Sequence, residues 1–319
     1  MTDFPAPQRI ATNGIELSVH LAGPDDGQPL LLVHGWPELA YSWKNQIALL
    51  AEAGYRVIAP DLRGFGGSDC PTGVDAYDID TMIADLTGLL DTLGHDKAVW
   101  IGHDWGGIIT WHAAMLAADR FDGVIGVNTP HLPRGSQAPT EAFRELGGED
   151  HYILRFQEPG YAEQRFEGKE NAFFAFIFGA PPREGRLDDY FPEITHIPAQ
   201  FEKFAGRPEE RIVVRPEDRA VYAEAYRKTG FGPGINLYRN FDANWQRMGG
   251  VDHRISLPCL MVSAELDFML PPKLAGWMPA LCKDVEFAVI DGCGHWTMWE
   301  APAELNGYLL DWLQRRFPA

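Results

Sequence analysis

The sequence predicts an α/β protein: a mostly parallel central sheet flanked by helices and interrupted by a helical insertion. Three observations carry that expectation. Short apolar runs alternate with amphipathic stretches through residues 1–131 and again through 249–319, the pattern of strands buried on both faces and joined by helices. Between them, over 132–248, the alternation lapses into aromatic clusters and Pro- and Gly-rich breaks, which reads as a helical cap inserted in the core. The third is the run Val99-Trp100-Ile101-Gly102-His103-Asp104-Trp105-Gly106-Gly107, an apolar stretch that ends in a polar residue between glycines and leads into a helical pattern. Such a run makes a sharp strand-to-helix elbow that lifts one side chain above the sheet, and the flanking glycines are needed because the turn is crowded.

The elements follow in order. Residues 15–22 alternate loosely and suggest an antiparallel edge strand, and 30–33 (Leu-Leu-Leu-Val) is a strand buried on both faces. A helix is expected over 41–53 with Gly54 as its stop, then a buried strand over 55–59 that runs into a glycine-rich loop. Residues 78–93 read as a helix stopped by Gly94, followed by the elbow strand at 97–102, its helix to 118, and a strand at 124–127. Inside the insertion the clearest helix is 216–229, and Phe173, Phe174, Phe176 and Phe178 are expected to pack a core. The alternation returns with a strand at 259–262, a helix at 272–280 and a strand at 285–290. A last helix at 303–317 sets Leu305, Tyr308, Leu309, Trp312 and Leu313 on one stripe.

Composition narrows the function classes. An apolar fraction of 45% and a charged fraction of 23% are those of an ordinary soluble domain. The net charge of −18 repels phosphate backbones, so no nucleic-acid partner is expected. The sequence carries neither a basic-then-apolar start nor an apolar run long enough to span a bilayer, so a cytoplasmic protein without a membrane partner is expected. Cys70, Cys259, Cys282 and Cys293 have no zinc-ligand spacing and no CxxC pair, which suits free thiols and gives no metal or cofactor site.

The chemistry centres on Asp104. A hydroxyl at an elbow serves acyl transfer, but a carboxylate is already ionised at neutral pH and attacks an sp³ carbon bearing a leaving group. The resulting ester must be hydrolysed by water, and water needs a base. His295, in a glycine-rich loop after the last strand, is placed for that role, and Asp267, after the penultimate strand, for orienting its imidazole. The site after the preceding strand, an alternative home for the acid, carries Asn128, and Glu265 is a weaker competitor nearer its strand. Backbone N–H groups of Trp36 and Trp105 are expected to form an oxyanion hole, with Gly35 admitting close approach and His34 bracing the turn.

At this point the chain resembles the soluble epoxide hydrolases of the α/β-hydrolase fold. The resemblance spans nearly the whole sequence, from His34-Gly35-Trp36-Pro37 through Gly102-His103-Asp104-Trp105-Gly106-Gly107 to Gly294-His295-Trp296-Thr297. It implies a cofactor-free, detoxifying hydrolase that turns small neutral apolar epoxides and water into vicinal diols through an alkyl ester on Asp104, and it admits a homodimer. It further implies two cap tyrosines that bind the epoxide oxygen. Tyr152, in Tyr152-Ile153-Leu154-Arg155-Phe156-Gln157-Glu158-Pro159-Gly160, and Tyr238, in Asn236-Leu237-Tyr238-Arg239-Asn240-Phe241, match the family's two stretches. Tyr161, Tyr222 and Tyr226 are read as packing. Arg155 stands where some mammalian relatives have another tyrosine and is expected to alter the pocket wall; the extra phosphatase domain of those relatives is not expected in so short a chain.

The first two motifs are shared with haloalkane dehalogenases, whose halide could be held by the indole N–H groups of Trp36 and Trp105. Fluoroacetate dehalogenases put Arg after the nucleophile, where this chain has Trp105. A non-catalytic ligand receptor on the same scaffold is a rival of another class, against which the intact trio of Asp104, His295 and Asp267 speaks.

Overall fold

The computed structural model describes residues 4–180 and 195–319. Eight strands form one sheet: β1 (Pro7–Thr12), β2 (Ile15–Ala22), β3 (Pro29–Val33), β4 (Arg56–Pro60), β5 (Ala98–His103), β6 (Phe121–Val127), β7 (Ile255–Ala264) and β8 (Cys282–Ile290). Their order is β1-β2-β4-β3-β5-β6-β7-β8, with β2 antiparallel to both neighbours and every pairing from β4 to β8 parallel. This is the expected α/β architecture. Because strand side chains alternate between faces, Leu31 and Val33 enter one core while Leu30 and Leu32 enter the other.

Helices cover both faces. Ile47 and Leu50 of α1 (Lys44–Glu52) and the stripe of α8 (Pro302–Arg316) pack one side, whereas Met82, Leu86 and Leu89 of α2 (Ile79–Thr92) and Ile109 and Ala113 of α3 (Trp105–Leu116) pack the other. Between β6 and β7 the described residues are largely helical. The segments that matter below are α4 (Tyr152–Gln157), α5 (Glu170–Ile177), α6 (Pro216–Thr229) and α7 (Gly232–Arg239), and their aromatic side chains join the core on the α3 side. Among the described residues, no helix is long and apolar enough to cross a membrane.

Three details differ from the sequence reading. β1 was not expected, because its side chains are mostly exposed and carry no alternation; backbone pairing with β2 makes it a strand. The helix expected over 272–280 is a 3-10 stretch, Pro272–Trp277, followed by one α-turn, Met278–Leu281. Pro279 lacks the N–H that a continuous α-helix would donate to the Ala275 carbonyl. Tyr308 leaves the stripe of α8: Leu305, Leu309, Trp312 and Leu313 are buried, but Tyr308 is 41% exposed at its margin.

A buried ion pair ties the loop after β4 to α2. Arg63 binds both oxygens of Asp85 and the carbonyl of Ala76, while Asn13 donates to the same carboxylate. Replacing one partner strands the other charge, so Arg63→Met is expected to cost about 3–5 kcal/mol in urea unfolding. A loss below about 1 kcal/mol would show that water reaches Asp85 and the pair is not structural.

Candidate active site

β5 ends in the elbow, and Asp104 sits at its apex with φ 50° and ψ −121°. A non-glycine residue is costly there and is held by its surroundings. A Cβ on Gly102 would lie 2.3 Å from the carbonyl oxygen of Gly106, and one on Gly106 would lie 2.0 Å from that of Val33. Both glycines are therefore demanded by backbone contact. Gly35 approaches from β3: a Cβ there would meet Asp104 Cβ and Oδ1 at 2.4 Å. Gly35→Ala is thus expected to leave the protein folded but to displace the carboxylate, lowering kcat/KM by about a hundredfold. Circular dichroism and kinetics on one sample check this, and unchanged kinetics would contradict it.

The Trp36 N–H donates to Asp104 Oδ1 at 2.7 Å. Trp105 is the first residue of α3, so its N–H has no helical carbonyl to bind. Oδ2 faces His295 Nε2 at 3.8 Å, a gap too long for a direct hydrogen bond. On its other side, His295 Nδ1 lies 2.8 Å from Asp267 Oδ2. The N–H groups of Met269 and Leu270 hold Asp267 Oδ1, and the Asn128 amide donates to Oδ2 at 2.7 Å. Asn128 is fixed in turn by the Thr297 hydroxyl. The loop bearing His295 is pinned by Glu300, which accepts from the N–H groups of Gly294 and Trp296, and by Glu265, which accepts from Gly292. Glu265 accordingly points into that loop and not at the imidazole.

The charges are coupled. Burial raises the pKa of Asp104, opposed by His295, His103 and the Trp36 N–H. Burial would also raise that of Asp267, but His295 and the donated hydrogen bonds outweigh it, leaving Asp267 below the usual range. For His295 burial acts downward, yet Asp267, Asp104 and Glu38 prevail and push the imidazole up to about 9. The directions of these shifts favour a protonated His295 beside an ionised Asp267 near neutral pH.

A second histidine lies below. His103 Nε2 donates to the carbonyl of His295 at 2.8 Å, and its Nδ1 meets Glu38 Oε2 at the same distance. Glu38 Oε2 also accepts from the Gly35 N–H. One buried carboxylate thus links the loop that presents Trp36 to the loop that presents His295. His34 braces its own turn, Nδ1 donating to the Gly35 carbonyl and Nε2 accepting from the Leu62 N–H.

Above the carboxylate a cavity of about 750 Å³ opens, lined by Asp104, His295, Tyr152 and Tyr238 among others. The two tyrosine rings meet edge to face at 5.6 Å, and the Trp105 ring meets that of Tyr238 in the same way at 5.1 Å. Burial, then the Asp104 charge, keeps Tyr152 protonated at all ordinary pH, and burial with Tyr152 and Asp104 does so for Tyr238. Tyr222 and Tyr226 are buried in packing, and Tyr161 stacks under Arg165. Phe173, Phe174 and Phe178 are core, but Phe176 also lines the cavity. Arg155 differs from expectation: it turns outward to Asp150 and Glu158 and does not form the pocket wall, because two flanking carboxylates hold it at the surface. Among the described residues, no group of three or more His, Cys, Asp or Glu could hold a metal ion.

A family model described as the alpha/beta hydrolase fold matches residues 28–302. Epoxide hydrolase A of Mycobacterium tuberculosis is 38% identical over 330 residues, covering 97% of this chain and 97% of its own. The chain belongs to the epoxide hydrolase family of the α/β-hydrolase fold. The crystal structure of epoxide hydrolase A from Mycobacterium thermoresistibile matches with a TM-score of 0.86 at 36% identity, covering 97% of this chain and 98% of that one. The bifunctional epoxide hydrolase 2 of Sus scrofa is 36% identical over 301 residues, which are 93% of this chain and 53% of that longer protein.

For this member of the epoxide hydrolase family, sequence reasoning gave Glu38 and Thr297 no role and noted Asn128 only as occupying the alternative site for the acid. A signal existed for Glu38: it lies four residues after His34 in a loop otherwise free of charge, and a carboxylate there must find a buried partner. For Thr297 there was none, since its contact is with a residue 169 positions away.

Proposed function

We propose that the chain hydrolyses epoxides to vicinal diols through a covalent ester on Asp104. The observation that carries this reading is the shared cavity: a carboxylate at the elbow and two protonated phenols open onto one apolar space. Asp104 Oδ2, the oxygen not held by Trp36, attacks an epoxide carbon, and the C–O bond breaks as Tyr152 and Tyr238 hold the oxygen and one of them gives it a proton. A halide leaving group would need no such proton.

Esterification cancels the Asp104 charge, one of the influences that raise the His295 pKa. The imidazole then loses its proton more readily and serves as base for the attacking water, with Asp267 stabilising the cation that forms. The tetrahedral oxyanion develops on Oδ1, where the Trp36 N–H already points and the Trp105 N–H adds a second donor. Its collapse breaks the ester bond, frees the diol and restores the carboxylate. The expected partners are neutral, apolar epoxides and water, with no cofactor.

A panel of aryl, aliphatic and cyclic epoxides with haloalkanes as controls tests the reading: diol formation without halide release is expected, and the reverse would replace it. The charge coupling gives a further expected result. In Asp104→Asn, which mimics the esterified carboxylate, the His295 ring signal titrates below the parent's midpoint of about 9 in NMR. An unchanged midpoint would contradict the coupling. Because the folded pKa lies above the unfolded 6.5, the stability His295 lends is complete below pH 6.5 and is lost as pH rises through about 9.

A further inference from the structure

The cavity does not stop at the elbow. Trp105, Ile108, His112 and Met115, spaced three and four residues apart on α3, all line it, so it runs along one face of that helix away from Asp104. His112 is eight residues beyond Asp104, about 12 Å along the axis at 1.5 Å per residue. There the wall changes character. His112, His131 and His253 line the same stretch, with the rings of His131 and His253 nearly parallel at 6.3 Å and His131 stacked on Trp111 at 5.5 Å.

The tautomers of two of these histidines are fixed by their partners. His112 Nδ1 faces the Ile108 carbonyl at 2.7 Å, and His131 Nε2 faces the His253 carbonyl at 2.7 Å. A carbonyl only accepts, so each of those nitrogens carries hydrogen. Both rings are neutral: burial pushes His131 down to about 4 and His112 downward too. His112 Nε2 and His131 Nδ1 are therefore lone pairs. Two such acceptors at the end of an apolar channel are costly to bury unless something donates to them.

We propose that this end of the cavity is a subsite for a neutral hydrogen-bond donor, a hydroxyl, carried on an aliphatic chain whose other end presents the epoxide to Asp104. The assignment rests on the epoxide reading above. A carboxylate would face two lone pairs, and an ammonium would lose its hydration for neutral partners. Arg134, which also lines the cavity, is stacked on Trp245 at 3.7 Å and donates to the Trp245 carbonyl. An extended chain gains about 1.2 Å per bond, so about ten atoms span the distance from the reacting carbon to His112.

The test compares the terminal epoxide of decane with its analogues bearing a hydroxyl or a carboxylate on the opposite terminal carbon. The hydroxyl analogue is expected to show a kcat/KM about five- to tenfold above the methyl-ended one, and His112→Leu or His131→Leu to erase that ratio. Styrene oxide, too short to reach the histidines, is read in the same samples to report folding and ring opening. A preference for the carboxylate or methyl end, or a hydroxyl advantage that survives both variants, overturns the subsite. Binding of decane-diol, followed through the histidine ring signals in NMR, separates the two readings. Ring shifts without hydrolysis of any epoxide would remove the function and keep the subsite; hydrolysis without ring shifts would do the opposite.

Discussion

His295→Gln, mixed with an epoxide that the parent hydrolyses, is expected to gain the mass of that epoxide on the peptide containing Asp104 and to turn over no further. Glutamine keeps roughly the size of the imidazole but cannot take a proton from water, so ring opening proceeds while the ester persists. The expected fall in kcat is about three to four orders of magnitude, the scale of losing a general base together with its orienting acid. Intact-protein mass spectrometry reads the adduct directly. A variant that is inactive yet never acquires the adduct would place the histidine in ring opening, contrary to the 3.8 Å gap that leaves its Nε2 clear of the carboxylate.

The second large effect concerns the tyrosines. Tyr152→Phe and Tyr238→Phe singly are each expected to slow ester formation by about tenfold, since the remaining phenol still donates to the alkoxide. The double substitution leaves a basic leaving group with no donor and is expected to cost about four orders of magnitude, more than the product of the singles. Single-turnover kinetics isolates this step from ester hydrolysis. Product-like additivity would show that the two hydroxyls act separately, despite rings that touch edge to face.

Much of this was legible in the chain because the site is built from turns with strict local demands. The elbow announces itself through Gly102 and Gly106, where backbone contacts near 2 Å admit no side chain. The parallel strands announce themselves as apolar runs because both of their faces are buried. What was not legible depends on chain distant in sequence. Glu38 reaches His103 across 65 positions, and Asn128 reaches Asp267 across 139. No local pattern tells such side chains from ordinary polar loop residues. Arg155 failed for the opposite reason: its local neighbours, Asp150 and Glu158, decided its direction more strongly than the cavity did.

A single turnover in ¹⁸O-labelled water, with enzyme in excess over epoxide, tests the covalent ester most directly. If Asp104 Oδ2 becomes an oxygen of the diol, the first product carries unlabelled oxygen and the label appears in the peptide containing Asp104. A first product that already carries the label, with Asp104 unlabelled, would mean that water attacks the epoxide itself and that the carboxylate is only its base.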